Sequence, residues 1–196
     1  MSQLIFASHN ENKTKEIRAL LKTYEVLSLR DLNFTEEIPE TGASLEENAA
    51  IKARRIFEEY GRAVFADDTG LIVPALGGAP GVYSARYAGP EANAEANMDK
   101  LLVALLEEKE RAAYFETVIC YIDDKGSEYL FRGRVDGQIL MSKQGLKGFG
   151  YDPIFKPAGY QESFAEMPAG EKNRISHRGR ALEAFIQFLR PATQKS

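Results

Sequence analysis

Three carboxylates and a set of cations carry the chemistry this sequence can offer. Asp67 and Asp68 follow the apolar run Ala63 to Ala66 and precede Thr69-Gly70 and a second apolar run, Leu71 to Leu76. A strand that stops on Asp-Asp and turns at the glycine would present both carboxylates at its C-terminal end, where open α/β sheets place their ligands. The alternative is an Asp-Gly turn in which one Asp caps a backbone amide. Glu40, set between Pro39 and Thr41-Gly42, is a third carboxylate on a constrained loop. Carboxylates without His or Cys partners suit a hard, oxygen-loving ion such as Mg²⁺, which takes one or two carboxylates plus substrate phosphates. The cations gather at predicted helix starts, Lys13 at one and Lys172, His177, Arg178 and Arg180 at another. A helix N-terminus favours negative charge, so cations there are best compensated by a bound anion; the alternative is a solvated side chain. A nucleoside triphosphate with its Mg²⁺ is a ligand that uses both sets.

The elements that must position these groups are legible from periodicity. Leu4 to Ala7 reads as a strand, Ser8-His9-Asn10-Glu11-Asn12 as a loop, and Ile17, Leu20, Leu21 and Tyr24 as one face of a following helix. Glu25 to Leu29 is a second strand. Ser44-Leu45-Glu46-Glu47 has capping-box spacing and opens a helix with Leu45, Ala49, Ile56, Phe57 and Tyr60 inward, ending at Gly61. Asn48 and Lys52 share a face of it. A helix is predicted from Ala94 to Glu110, a hairpin from Tyr114 to Arg134, and a further strand over Val135 to Leu140. Gly148-Phe149-Gly150 either lets a ligand approach the backbone, with Phe149 offering a surface to a base, or is a plain glycine-rich turn. After an irregular stretch to Pro168, Ser176 caps a last helix through Leu189, which Pro191 ends.

Composition excludes several classes. At 196 residues, with 44% hydrophobic and 28% charged residues, the chain has the make-up of a soluble globular protein. A net charge of -4 lacks the basic footprint of a nucleic-acid-polymer binder. The single Cys120 cannot form an intramolecular disulfide and reads as a buried, inert thiol in a reducing compartment. Met1 to Ala7 is too short for a signal sequence, and no apolar run approaches the ~20 residues of a membrane span, so a cytoplasmic protein with no membrane partner is expected.

Six motifs, in order, carry a resemblance: Ser8-His9-Asn10-Glu11-Asn12-Lys13; Glu40-Thr41-Gly42 with Glu47-Asn48-Ala49; Ala66-Asp67-Asp68-Thr69-Gly70; Leu76-Gly77-Gly78-Ala79-Pro80-Gly81-Val82-Tyr83-Ser84-Ala85-Arg86; Gly148-Phe149-Gly150-Tyr151-Asp152-Pro153; and Ser176-His177-Arg178-Gly179. The series resembles that of the inosine triphosphate pyrophosphatase family from Ile5 to about Leu189. The resemblance implies an α/β fold with an elongated mixed β-sheet and flanking helices, a single domain over residues 1–196 with two lobes around a central cleft, a homodimer and Mg²⁺ dependence. It also implies hydrolysis of the deaminated purine nucleotides ITP, dITP and XTP to the monophosphate and pyrophosphate.

By position, the resemblance places a phosphate-gripping loop on Ser8, His9, Asn10, Glu11, Asn12 and Lys13, a further phosphate contact on Lys52, metal carboxylates on Glu40 and Asp68, and the catalytic base on Asp68. Substrate contacts fall on Thr69, Phe149, Gly150, Tyr151, Asp152, Lys172, His177 and Arg178, with His177 and Arg178 facing the base. Two positions depart from the family pattern: Thr69 stands where serine is usual and His9 where glycine is common. Rival readings are a related pyrophosphatase for methylated or pyrimidine nucleotides, and a sensor that grips triphosphate without hydrolysing it.

Overall fold

Leu4-Ile5-Phe6 and Val64-Phe65-Ala66 are apolar at every position, so strands made of them must be covered on both faces. They form β1 (Gln3–Phe6) and part of β3 (Val64–Ile72), parallel to each other with Ile5 opposite Val64 and Phe6 opposite Phe65; β2 (Glu25–Ser28) lies parallel on the other side of β1. The computed structural model describes residues 3–190; the readings that involve Met1 and Pro191 lie outside them. Among the described residues seven strands form a mixed sheet; with β5 (Ala112–Ile122), β6 (Glu128–Ile139) and β7 (Phe155–Pro157) the order is β2-β1-β3-β5-β6-β7, β4 (Pro80–Gly81) lying antiparallel on β3 and β7 antiparallel on β6. The chain divides into two compact units, which split it after Asp68, Glu116, Gly133 and His177.

The first unit comprises residues 3–68, 117–133 and 178–190 of the described chain. Its strands alternate between two cores, as a period of two requires. Leu4, Phe6, Phe65, Ile119 and Tyr121 pack with Ile17 of α1 (Glu11–Leu20) and with Ala181, Leu182 and Phe185 of α5 (His177–Leu189). Ile5, Ala7, Val64, Ala66, Cys120 and Ile122 pack with Ala49, Ala53 and Ile56 of α2 (Leu45–Tyr60). The helix α2 starts where the spacing places it: Ser44 Oγ accepts from the Glu47 amide, while Glu47 Oε2 accepts from the amide of Ala43, one residue earlier than a standard capping box. It ends at Gly61, whose φ of 59° is the left-handed cap that glycine adopts without strain. Burial pushes the Cys120 thiol up to about 12, in keeping with an inert core group.

The second unit comprises residues 69–116 and 134–177. Its core joins Leu71 and Val73, Met98 and Leu101 of α3 (Ala94–Ala104), and Phe115, Val135, Ile139, Ile154, Phe155 and Phe164.

Four expectations are corrected. Strand β3 does not stop on Asp-Asp or turn at Gly70; it continues to Ile72, because charged partners neutralise the two buried carboxylates and the Leu71 amide is met by Ser84 Oγ at 2.8 Å. Helix α3 ends at Ala104, where Arg111 donates to the Leu105 carbonyl, and Leu106 is exposed. The predicted second half of the hairpin and the strand after it are one strand, β6 (Glu128–Ile139), following β5 (Ala112–Ile122). The stretch before Ser176 holds β7 and a short helix, α4 (Ala169–Ile175), so Lys172 belongs to α4 and not to the start of α5.

Candidate active site

On β3 successive side chains point to opposite faces, which sends Asp67 with Phe65 toward α1 and α5, and Asp68 with Ala66 toward α2. Asp67 meets Lys13 of α1, whose Nζ lies 3.0 Å from Oδ1 and 2.9 Å from Oδ2, and Arg178 of α5, whose Nε lies 3.4 Å from Oδ2. The Arg178 guanidinium also pairs with Glu16 of α1. Burial alone would raise the Asp67 carboxyl, but the Lys13 and Arg178 charges outweigh it and hold it well below the usual carboxylate range. Lys13 is displaced downward by its own burial, with Lys52 and Arg178 adding to the effect and Asp67 opposing it.

Asp68 accepts from Asn48 Nδ2 at 3.1 Å and has Lys52 Nζ 3.7 Å from Oδ1. Lys52 in turn donates to Glu40 Oε1 at 2.5 Å. Burial pushes the Asp68 carboxyl above its ordinary value despite Lys52, and the Glu40 charge pushes the same way. Burial opposes the charged form of Lys52, yet Asp68 and Glu40 raise it. A carboxylate raised in this way is a better proton acceptor than a solvated one, which suits a general base.

At the start of α1 the side chain of Asn10 caps the helix, accepting from the amides of Asn12 (3.0 Å) and Lys13 (3.2 Å). Two of the amides that the sequence leaves to an anion are thus engaged, and Lys13 supplies charge through its side chain instead. Ser8 Oγ accepts from the Asn10 amide, and Glu11 and Asn12 sit in the first turn. His9 is turned away from this turn, with Nε2 at 3.0 Å from the carbonyl of Glu36.

In the second unit, Thr69 lies within β3 and Tyr151 is core: its hydroxyl donates to the Ser84 carbonyl at 2.8 Å, and burial raises it. Asp152 Oδ2 accepts from the Phe149 amide at 2.8 Å and from Lys172 Nζ at 2.7 Å. The Lys172 ammonium lies 4.8 Å from the Phe149 ring centroid, so Phe149 is held by a cation and not by glycines alone. Gly148 and Gly150 both take positive φ, 75° and 63°. His177 stacks on Phe115, with centroids 4.6 Å apart and planes at 18°.

The candidate residues therefore fall in two groups. Lys13, Glu40, Lys52, Asp68 and Arg178 come together in the first unit, and Phe149, Asp152 and Lys172 in the second, which also holds Thr69 and His177; the unit boundaries run between Asp68 and Thr69 and between His177 and Arg178. Four participants escape a reading by motif roles. Asp67 and Asn48 lie within the quoted motifs but carry no assigned role there. Glu16 stands three residues from Lys13 on α1, a spacing that could have flagged it. Phe115 carries no local signal, because its pairing with His177 spans more than sixty positions.

Among the described residues no three His, Cys, Asp or Glu side chains cluster as a ligand set for a metal. The pair Glu40 and Asp68 nevertheless fits Mg²⁺. Both carboxylates approach a single cationic point, the Lys52 ammonium, and the donors are oxygens only. Two carboxylates with the rest of the shell left to water and phosphate is the usual way this ion is held.

The model of the Ham1 family matches residues 4–188. The chain is 54% identical over 188 residues to a dITP/XTP pyrophosphatase of Christiangramia forsetii, covering 95% of this chain and 98% of that one. It is 50% identical to a dITP/XTP pyrophosphatase of Flavobacterium johnsoniae, covering 95% and 97%. The solved structure of the Staphylococcus aureus Ham1 protein superposes with a TM-score of 0.87 at 37% identity, covering 96% of this chain and 98% of that chain.

Proposed function

The chain belongs to the Ham1 family, and on that premise we propose that it is a nucleoside-triphosphate diphosphatase acting on deaminated purine nucleotides: ITP, dITP and XTP. The relatives named dITP/XTP pyrophosphatase support the substrate class. The observation that carries the chemistry is geometric: the buried carboxylate of Asp68 and that of Glu40 converge on one ammonium, Lys52 Nζ, at 3.7 and 2.5 Å.

In this reading Glu40 and Asp68 hold Mg²⁺, which when bound would draw charge from the triphosphate oxygens and make the α-phosphorus more open to attack. Asp68 accepts a proton from a water at a carboxylate oxygen as that water adds to the α-phosphorus. The bond from the α-phosphorus to the bridging oxygen breaks, and that oxygen leaves with pyrophosphate. Lys13 and Lys52 supply positive charge to the departing group, with Ser8 to Asn12 as the loop that grips it. Positioning and charge do most of the work, as in phosphoryl transfer generally. Thr69, Lys172, Phe149 to Asp152, His177 and Arg178 serve as the remaining nucleotide contacts, with donors on His177 and Arg178 suited to the 6-keto acceptor of hypoxanthine and xanthine.

We further infer a single functional domain made of the two units, a homodimer and a cytoplasmic setting; among the described residues no helix is long and apolar enough to cross a membrane. Incubation with a panel of nucleoside triphosphates and Mg²⁺ in ¹⁸O-labelled water tests the activity. The expected products are pyrophosphate and a labelled monophosphate, from ITP and XTP well ahead of ATP. Orthophosphate and a diphosphate nucleotide as primary products would overturn the reading, and a preference for pyrimidine nucleotides would move the substrate class. Light scattering of the purified protein decides the dimer.

A further inference from the structure

His9 is the one residue of the first loop where the family resemblance expects the freedom of glycine and this chain carries a ring. The structure shows what the ring does. Its Nε2 stands 3.0 Å from the Glu36 carbonyl, and because a carbonyl can only accept, the imidazole donates. The same ring stacks on Phe34, with centroids 6.2 Å apart and planes at 21°. His9 belongs to the loop after β1, whereas Phe34 and Glu36 belong to the segment after β2 that leads to Glu40.

That segment is also held by α2. Arg55 places its guanidinium 5.3 Å from the Phe34 centroid and donates to Glu36 Oε2 at 2.7 Å, while Lys52, three residues earlier, holds Glu40 Oε1 at 2.5 Å. Phe34 and Ile38 also pack against the core under α2. Lys52 and Arg55, one turn apart on α2, thus pair with Glu40 and Glu36 respectively, and the segment from 34 to 40 touches both α2 and His9.

We propose that His9 is a positioning residue which latches the Ser8–Lys13 loop to the segment carrying Glu40, so that the phosphate-gripping and metal-holding parts of the first unit keep one fixed spacing. The assignment of those two parts rests on the proposed pyrophosphatase reading; the latch itself does not. His9 acts through the Glu36 carbonyl and the Phe34 ring and transfers no proton in the reaction. A glycine here would need the loop's own backbone to supply the same spacing.

A glutamyl endopeptidase acting on the ligand-free full chain tests the latch, since it cleaves after Glu36, Glu37 and Glu40, and after Glu107, Glu108 and Glu110 in an exposed stretch of the second unit as an internal reference. His9→Gly is expected to raise the ratio of cleavage at 36–40 to cleavage at 107–110 by roughly 2- to 12-fold, the range of one net hydrogen bond in a local opening equilibrium. His9→Gln, which keeps a donor, should restore most of the protection; His9→Phe, which keeps only the ring, should not. With ITP, His9→Gly should also raise KM and the Mg²⁺ concentration for half-maximal rate by a similar factor. An unchanged cleavage ratio in His9→Gly overturns the latch. A raised KM without faster cleavage also overturns it and makes His9 a direct phosphate contact. If the wild-type protein hydrolyses no triphosphate, the functional reading fails by itself, and the cleavage ratios still decide the latch.

Discussion

Asp67 and Asp68 are adjacent in sequence, lie on the two faces of β3 and are displaced in opposite directions from the ordinary carboxyl value. Asp67 is clasped by Lys13 and Arg178, and its carboxyl is held low. Asp68 shares Lys52 with Glu40, and burial pushes its carboxyl up despite that lysine. A strand turns its side chains over at every residue, so one step along the chain changes the helix a carboxylate faces and with it the charges it meets. Asp67 thus anchors two cations, and the proposed chemistry falls to Asp68.

Asp68→Asn keeps the shape of the side chain and removes its charge and basicity. Turnover of ITP with saturating Mg²⁺ should fall by ~10²-fold or more, the scale of general-base loss, while nucleotide binding by calorimetry persists in part. Near-normal turnover would remove Asp68 from both of its assigned roles.

Asp67→Asn should act on stability and its dependence on acid. The folded carboxyl lies below the ordinary value of 3.8, so its stabilising contribution is fully present above about pH 4 and is lost as the pH falls through the folded value. Breaking a buried pair by removing one partner costs about 3–5 kcal/mol. Urea unfolding at pH 7 should show a deficit near that size, and the gap between wild type and variant should stay flat down to about pH 5 and narrow below pH 4. A gap that widens toward acid would contradict the depressed carboxyl.

Lys52→Met replaces the ammonium between Glu40 and Asp68 with a neutral chain of similar length. The two carboxylates are then left with less neutralisation, so Mg²⁺ alone should raise the thermal midpoint of the variant more than that of the wild type, by mass action on the folded state. Equal Mg²⁺ responses in the absence of nucleotide would argue against this pair as the metal ligands.

Gly148→Ala probes the second unit. An added Cβ would stand 2.1 Å from Asp152 Oδ2, on a backbone whose φ of +75° already disfavours a side chain. The carboxylate must then give up its place under the Phe149 amide and beside Lys172. Unfolding free energy should drop by about 1–3 kcal/mol and KM for ITP should rise. Gly150→Ala, where nothing lies within 4 Å of the added carbon, bears only the backbone strain and should cost less.

Local signals along the chain were enough for β1, both ends of α2 and the apolar face of α5, because each depends on side chains within a few residues of one another: periodicity, a cap at Ser44, a left-handed Gly61; α1 begins at Glu11, two residues inside the stretch read as loop, because the Asn10 side chain caps it. The residue types also pointed to the proposed chemistry, since carboxylates and cations suit a hard metal and an anionic ligand, beside the plainer readings of a capping Asp and solvated lysines. Tertiary structure alone decided which carboxylate meets which cation. The sequence reads Asp67-Asp68-Thr69-Gly70 as a stop and a turn, but Lys13, Lys52 and Arg178 arrive from three helices to neutralise the acids, and with that neutralisation a strand can run straight through them. Lys172 likewise reads as part of a crowd at the start of α5 until α4 forms and gives it Asp152 and Phe149. These pairings join positions up to 111 residues apart, and the energy of an ion pair depends on distance in space and on burial, neither of which is written in the spacing of residues along a chain.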